Sequence, residues 1–339
     1  GDVPGDDAAD DADGGDGDAT PDADADAEED GSDAADAVEE EDWHVPCTVP
    51  GLTVGTPVEV ADPGAVIGGL SLARAGGVMG LAWTDGRIVD VIPNEEIYFH
   101  LIDPAGTLAG SEIRISNEDL ESRAPSVAWT GSAFGMAWGD ARGLPAGDVF
   151  WAAVDEGGDV AVPEVQVTTG GVGAMYAATA WSGSRVGIAW TDNRDGTMDV
   201  YFALADAAGA LDGGISRVSD AAGNSFGPAL AWTGAGWIVA WDDTAGGASW
   251  EPHVMLAALS PDGAVDAAGA RISGDTGTAN HATVAFAHGV AFACWEDFDA
   301  GAHDVFCGAY TAAGVESVAP AAVAATAGDS TSPSLAASP

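Results

Sequence analysis

Carboxylates stand beside arginines in three places of this sequence: Asp85 with Arg87, Asp140 with Arg142, and Asp192 with Arg194. Gathered on one face they would make an acidic ring for a sugar or a cation. Taken singly, each Asp would bond amides of its own turn and each Arg a neighbouring acid. The recurrence favours the second reading, because a fold requirement returns in every copy whereas a ligand usually needs one. The third copy runs on as Asp192-Asn-Arg-Asp195-Gly-Thr-Met-Asp199, a spacing that would let three carboxylates wrap calcium, the one cofactor the sequence offers.

Other chemistry sits where the pattern is broken. Trp250-Glu251-Pro-His253 and an insert ending in Asn94-Glu95-Glu96 replace short polar turns. An indole or acid there suits a sugar, which offers C–H groups to a ring and hydroxyls to a carboxylate. Trp250, Glu251, His253, Glu95 and Glu96 are therefore the expected ligand contacts. The six histidines show no metal-ligand spacing, although His281 and His303 fall on same-face loops of one unit. Neither a Gly-x-Ser-x-Gly elbow, a phosphate loop nor His-Glu-x-x-His occurs, so no catalytic residue is assigned. Acids are too numerous for carboxylate catalysis to be tested by sequence.

Composition narrows the partners. The 339 residues carry 9 basic and 55 acidic side chains, a formal charge of −46, and every base is arginine. Residues 1–42 alone hold 20 acids and no base. Nucleic acid and anionic membrane would meet like charge on both parts of the chain. The first 53 residues read as a disordered acidic spacer. In composition they resemble the Asp/Ala-rich spacers that follow the anchor of bacterial surface lipoproteins. No apolar run is long enough to be a transmembrane segment, and a chain opening on Gly1 reads as processed or partial.

What must position these residues is a repeat. Trp83, Trp138, Trp190, Trp241 and Trp295 lie 55, 52, 51 and 54 residues apart, each followed two places later by Asp85, Asp140, Asp192, Asp243 or Asp297. Nine residues upstream of each tryptophan stands Arg74, Trp129, Trp181, Trp232 or Phe286, and thirteen further upstream Ala61, Ser116, Thr168, Ser219 or Ser273. Each unit holds four short apolar runs parted by Gly, Asp, Ser and Pro, with none long enough for a helix. Apolar on both faces, such meanders need cover on both sides, which stacking around an axis provides.

The expected fold is therefore all-β, a propeller of four-stranded antiparallel blades at about 68–117, 123–169, 176–220, 227–274 and 281–325. Lone strands are expected at 56–61 and 332–337, as in a ring of six or more blades cut short. A β-sandwich is the competitor, but sandwiches seldom repeat a phrase at a fixed period. Cys294 and Cys307 flank the turn between two strands of the last unit. If Asp297 faces Asp304, the same register sets the cysteines opposite each other, and a cross-strand disulfide would place the chain in an oxidising compartment. Two buried free thiols are the alternative, and Cys47 is left unpaired.

The phrase Trp181-Ser182-Gly183, then Trp190, Asp192, Arg194, Gly196, Val200 and Tyr201, resembles the repeats of bacterial TolB-type and related WD40-like propellers. The resemblance covers about residues 54–338 and implies a propeller. Propellers bind, scaffold or catalyse, so the fold alone licenses no activity. The expectation drawn is a monomeric, exported or cell-surface module that binds a protein or glycan without chemistry. The alternatives are a glycan-active enzyme with acids near the central channel, and a purely structural surface protein.

Overall fold

A computed structural model describes residues 56–60, 67–88, 94–117, 120–143, 147–170, 173–219, 223–244, 251–274, 277–299, 302–324 and 329–337. The acidic spacer, His44, Cys47 and Trp250 lie outside the described residues. The chain divides into residues 1–56 and 57–339, and every described strand belongs to the second unit.

Five antiparallel sheets follow one another along the chain, at 67–114, 122–166, 175–217, 225–271 and 278–324, each with its four strands hydrogen-bonded in sequence order. These are blades 1 to 5 of a propeller. The first strands, Ile67–Ala75, Ser122–Trp129, Met175–Trp181, Ser225–Trp232 and Thr278–Ala287, pack against one another in succession. They run parallel and in register: the Ser71 hydroxyl accepts from the Val127 N–H and the Ser126 hydroxyl from the Thr179 N–H, both at 2.9 Å. A cavity of about 490 Å³ lies along this line of strands, lined by Leu72, Ser126, Thr179, Leu230, Val284 and Leu335 among others. Among the described residues, segments 56–60 and 329–337 join no ladder.

The Trp-x-Asp phrase builds the interior of each blade. Alternate strand residues share a face, so Trp and the Asp two places on point the same way. All five repeat tryptophans are no more than 1 % exposed. Each indole N–H donates to its Asp, at 3.1 Å for Asp85, 3.3 Å for Asp140, 3.1 Å for Asp192, 3.2 Å for Asp243 and 3.5 Å for Asp297. A buried indole gains its apolar area without losing its hydrogen bond.

In blades 1 to 3 the arginine two residues later closes over the same carboxylate and lies against an aromatic ring of the third strand. Arg87 sits 4.3 Å from the Tyr98 ring centre, Arg142 4.0 Å from Phe150 and Arg194 4.6 Å from Tyr201. For Asp85, burial pushes the carboxyl up, but hydrogen bonds from Arg87 and Trp83 outweigh it and hold the group below the usual carboxylate range. A second repeated bond fixes the blade edge. The hydroxyls of Ser116, Thr168, Ser219 and Ser273 accept from the N–H groups of Ile97, Val149, Val200 and Val254. These polar repeats are joints of the fold.

Candidate active site at the axis

The residue between Trp and Asp faces the other way, toward the neighbouring blade. That column reads Thr84, Gly139, Thr191, Asp242 and Glu296. Its partner column lies in the first strand of the following unit, where the ladder is interrupted by a bulge. Gly69, Ala124, Tyr176, Gly227, His281 and Ser332 occupy it, and all six have φ between +51° and +56°. Because the first strands are parallel and in register, the five residues from Gly69 to His281 mark one end of the axis. Ser332 repeats the conformation in the segment after blade 5.

The two columns are bonded. Thr84 Oγ1 accepts from the Ala124 N–H at 3.0 Å. Asp242 accepts from the N–H groups of His281 at 3.0 Å and Ala282 at 3.3 Å, and Glu296 Oε2 accepts from the Ser332 N–H at 3.0 Å. The Thr84 hydroxyl serves in blade 1, the Thr191 hydroxyl has no partner in blade 3 and Gly139 has no side chain in blade 2, so an acid is not needed for the joint. Two acids in consecutive blades therefore require another explanation.

His281 links them. Its backbone donates to Asp242 while its Nδ1 lies 2.8 Å from Glu296 Oε1. The His303 Nδ1, which has no hydrogen-bond partner, stands 4.0 Å from the same oxygen. Glu296 is 3 % exposed, Asp242 half-buried and His281 open to solvent. Burial pushes the Asp242 carboxyl up to about 6; the two backbone donors pull against this and the Glu296 charge adds to it. One carboxyl raised by burial to about 6, joined through His281 to another held by an imidazole, is an arrangement able to give and take protons.

The expected ligand contacts fall elsewhere. Glu95 pairs with Arg123, and Glu96, fully buried, pairs with Arg114 at 2.7 Å and accepts from Ser116. His253 sits opposite Asp243, where Asp148 and Asp199 stand opposite Asp140 and Asp192 in their own blades, and burial followed by Arg271 lowers its imidazole. Glu251 is exposed on the approach to that strand. None of the described four adjoins the axial pair in any hydrogen bond or ion pair of the structure.

The three residues expected to wrap calcium each have another partner. Asp192 is taken by Trp190 and Arg194, Asp195 by the Tyr201 hydroxyl at 2.6 Å, and Asp199 by Arg217 at 2.9 Å and Ser219 at 3.0 Å. The three carboxylates face three different partners, and no metal-holding cluster occurs among the described residues. Cys294 and Cys307 face each other in the register and are joined by a disulfide.

No family profile matches this chain, and no characterised protein matches it in sequence. Solved structures do resemble it. The GH93 α-L-arabinofuranosidase of Fusarium graminearum, solved with arabinobiose, has a TM-score of 0.58 at 12 % identity, over 83 % of this chain and 86 % of that one. A thermostable family-43 glycoside hydrolase gives 0.49 at 13 % identity over 82 % and 100 %. A puromycin-hydrolyzing peptidase of Mycobacterium tuberculosis gives 0.51 at 12 % over 77 % of this chain but 38 % of that one. The fold is the likeness. The expectation of a module without chemistry is corrected here: the fold is shared with an arabinofuranosidase, which favours the glycan-active alternative over a binding module. Asp242 and Glu296 went unassigned from sequence because they lie in the column between two constant ones. The signal was an acid there in two consecutive units alone.

Proposed function

We propose that this propeller is a glycan-active enzyme, a glycoside hydrolase working at the end of the axis where Asp242 and Glu296 meet. The observation that carries this reading is that one residue, His281, bonds both carboxyl groups through two different atoms. Asp242, protonated up to about pH 6, is the acid that gives its proton to the departing glycosidic oxygen. Glu296 is the carboxylate that receives charge or a proton on the other side of the bond. His281 is a positioning residue, orienting Glu296 through Nδ1. Bond cleavage is balanced by the Asp242 proton on the leaving oxygen and by water, whose own proton passes to Glu296.

A fold shared with an arabinofuranosidase makes arabinose-containing glycans the first substrates to try. Export is part of the proposal, supported by the Cys294–Cys307 disulfide. The test is hydrolysis of aryl glycosides of neutral sugars and of neutral hexasaccharides built from arabinose, xylose and glucose. Turnover by the wild-type chain, lost in Asp242→Asn and Glu296→Gln with both variants folded, supports the reading. Turnover unaffected by either substitution, or none on any member of the panel, overturns it.

A further inference from the structure

Among the residues of the left-handed column Tyr176 stands out. A tyrosine at φ +53° is poorly placed, since only glycine occupies that region freely. The other positions hold two glycines, an alanine, a serine and the active-site histidine. Packing does not repay the conformation, because Tyr176 is 48 % exposed. Strained, exposed aromatic residues gather where a ligand is met.

A cavity of about 170 Å³ opens beside it, in the cleft between blades 2 and 3. At its edge Gly139 lets the backbone of blade 3 come close, since a Cβ there would stand 3.0 Å from the Met175 Cα. Gly139, Ala174 and Met175 help line it, and Glu121 and Arg123 bring polar groups to it. Those two pair with each other at 2.8 Å, and Arg123 also pairs with Glu95, so its charge is already met. An aromatic face beside a carboxylate and a neutralised guanidinium suits hydroxyls and C–H groups. The nearby carboxylates, on a chain of net charge −46, disfavour an anion.

The cavity and the carboxylate pair share one end of the axis. In chain order Gly227 comes between Tyr176 and His281, and a Cβ built there would stand 3.8 Å from Asp242 Oδ2. Glycine leaves the approach to Asp242 open on the side of blade 3.

We propose that the Tyr176 cavity is a distal subsite that holds one neutral sugar unit of an oligosaccharide whose scissile bond lies at Asp242 and Glu296. The inference rests on the hydrolase reading for the place of cleavage, whereas binding at Tyr176 is measured apart from it. Calorimetry with the neutral hexasaccharides named above, and with a hexagalacturonate as the anionic control, uses the wild-type chain, Tyr176→Gly, Tyr176→Phe and the double variant Asp242→Asn with Glu296→Gln. Glycine suits φ +53°, so Tyr176→Gly should melt no lower than wild type, which separates lost binding from lost fold.

Expected is binding of a neutral hexasaccharide by the wild type and the double variant, weakened about tenfold in Tyr176→Gly and retained in Tyr176→Phe. In turnover, Tyr176→Gly should raise KM for the hexasaccharide and leave aryl monoglycosides unchanged. Equal affinity in Tyr176→Gly, preference for the hexagalacturonate, or no binding of any neutral hexasaccharide overturns the subsite. Tyr176-dependent binding without turnover by the wild type supports the subsite and overturns the hydrolase reading alone.

Discussion

The Nδ1 of His281 lies 2.8 Å from Glu296 Oε1, so a residue of the first strand of blade 5 fixes a carboxylate of the second strand of that blade. The same histidine's N–H reaches back to Asp242 in blade 4. Both carboxyl groups are thus held by one residue, His281.

The rate should follow the Asp242 proton. An acid catalyst works only while protonated, and the carboxyl is pushed up to about 6, so kcat should be level below that pH and fall tenfold per unit above it. Asp242→Asn should cost about 10²- to 10⁴-fold on a substrate with a poor leaving group and much less on one that departs without a proton. A pH–rate profile with aryl glycosides of graded leaving ability measures this. A profile of Asp242→Asn that still falls near pH 6 would refute the assignment.

Stability should carry the same signature. Burial raises the Asp242 carboxyl from the ordinary 3.8 to about 6, so between these values the folded chain binds more protons than the unfolded one. Stability from this group is therefore full below about pH 4 and declines as pH rises to about 6. Asp242→Asn has no such proton to lose. Its melting midpoint should match the wild type near pH 4 and exceed it at pH 7, read by calorimetry across the range.

The repeat was legible in sequence because the demands of a blade return in every blade. Trp190 must be buried, its N–H must find Asp192, and Arg194 must close over the pair, so the same letters recur at the same spacing. The active pair was not legible by that logic. Asp242 and Glu296 occupy the position that holds Thr84, Gly139 and Thr191 in the other blades, so no common letter marks it. Departures from the pattern are plainest in the inserted loops, yet Glu95 and Glu96 there are held by Arg123 and Arg114. His281 and His303 read as neighbours from sequence, but the acid between them depends on the bulge that turns the first strand. That bulge shows in the sequence only as a column of unlike residues, and Tyr176 passes there for an ordinary strand aromatic.

The Trp-Asp-Arg joint should behave as structure. Asp192 is fully buried, and removing it as Asp192→Ala leaves the Trp190 N–H without its acceptor and Arg194 without its partner. A loss of about 3 kcal/mol is expected in denaturant unfolding, near the lower end for breaking a buried pair. Asp195→Asn should cost far less, since that carboxyl only accepts from Tyr201. Calcium or a chelator should leave both midpoints in place. A rise in the wild-type midpoint with calcium that Asp192→Ala abolishes would restore the metal reading.

Reduction should reach the active site through Cys294. This residue stands two places before Glu296 on one strand and opposite Cys307 on the next, so the disulfide ties the hairpin that carries Glu296. The bridged residues are 13 apart in sequence, and closing a loop of that size is worth about 3 kcal/mol in the unfolded chain. Replacing both cysteines by serine should lower the melting midpoint accordingly. Thiol titration in denaturant should find one group per chain before reduction and three after, Cys47 being the third cysteine. Blade 5 is also where His281 and His303 meet Glu296, so kcat should fall in the double serine variant below its own melting range. Three thiols before reduction, or an unchanged midpoint in that variant, would refute the tie.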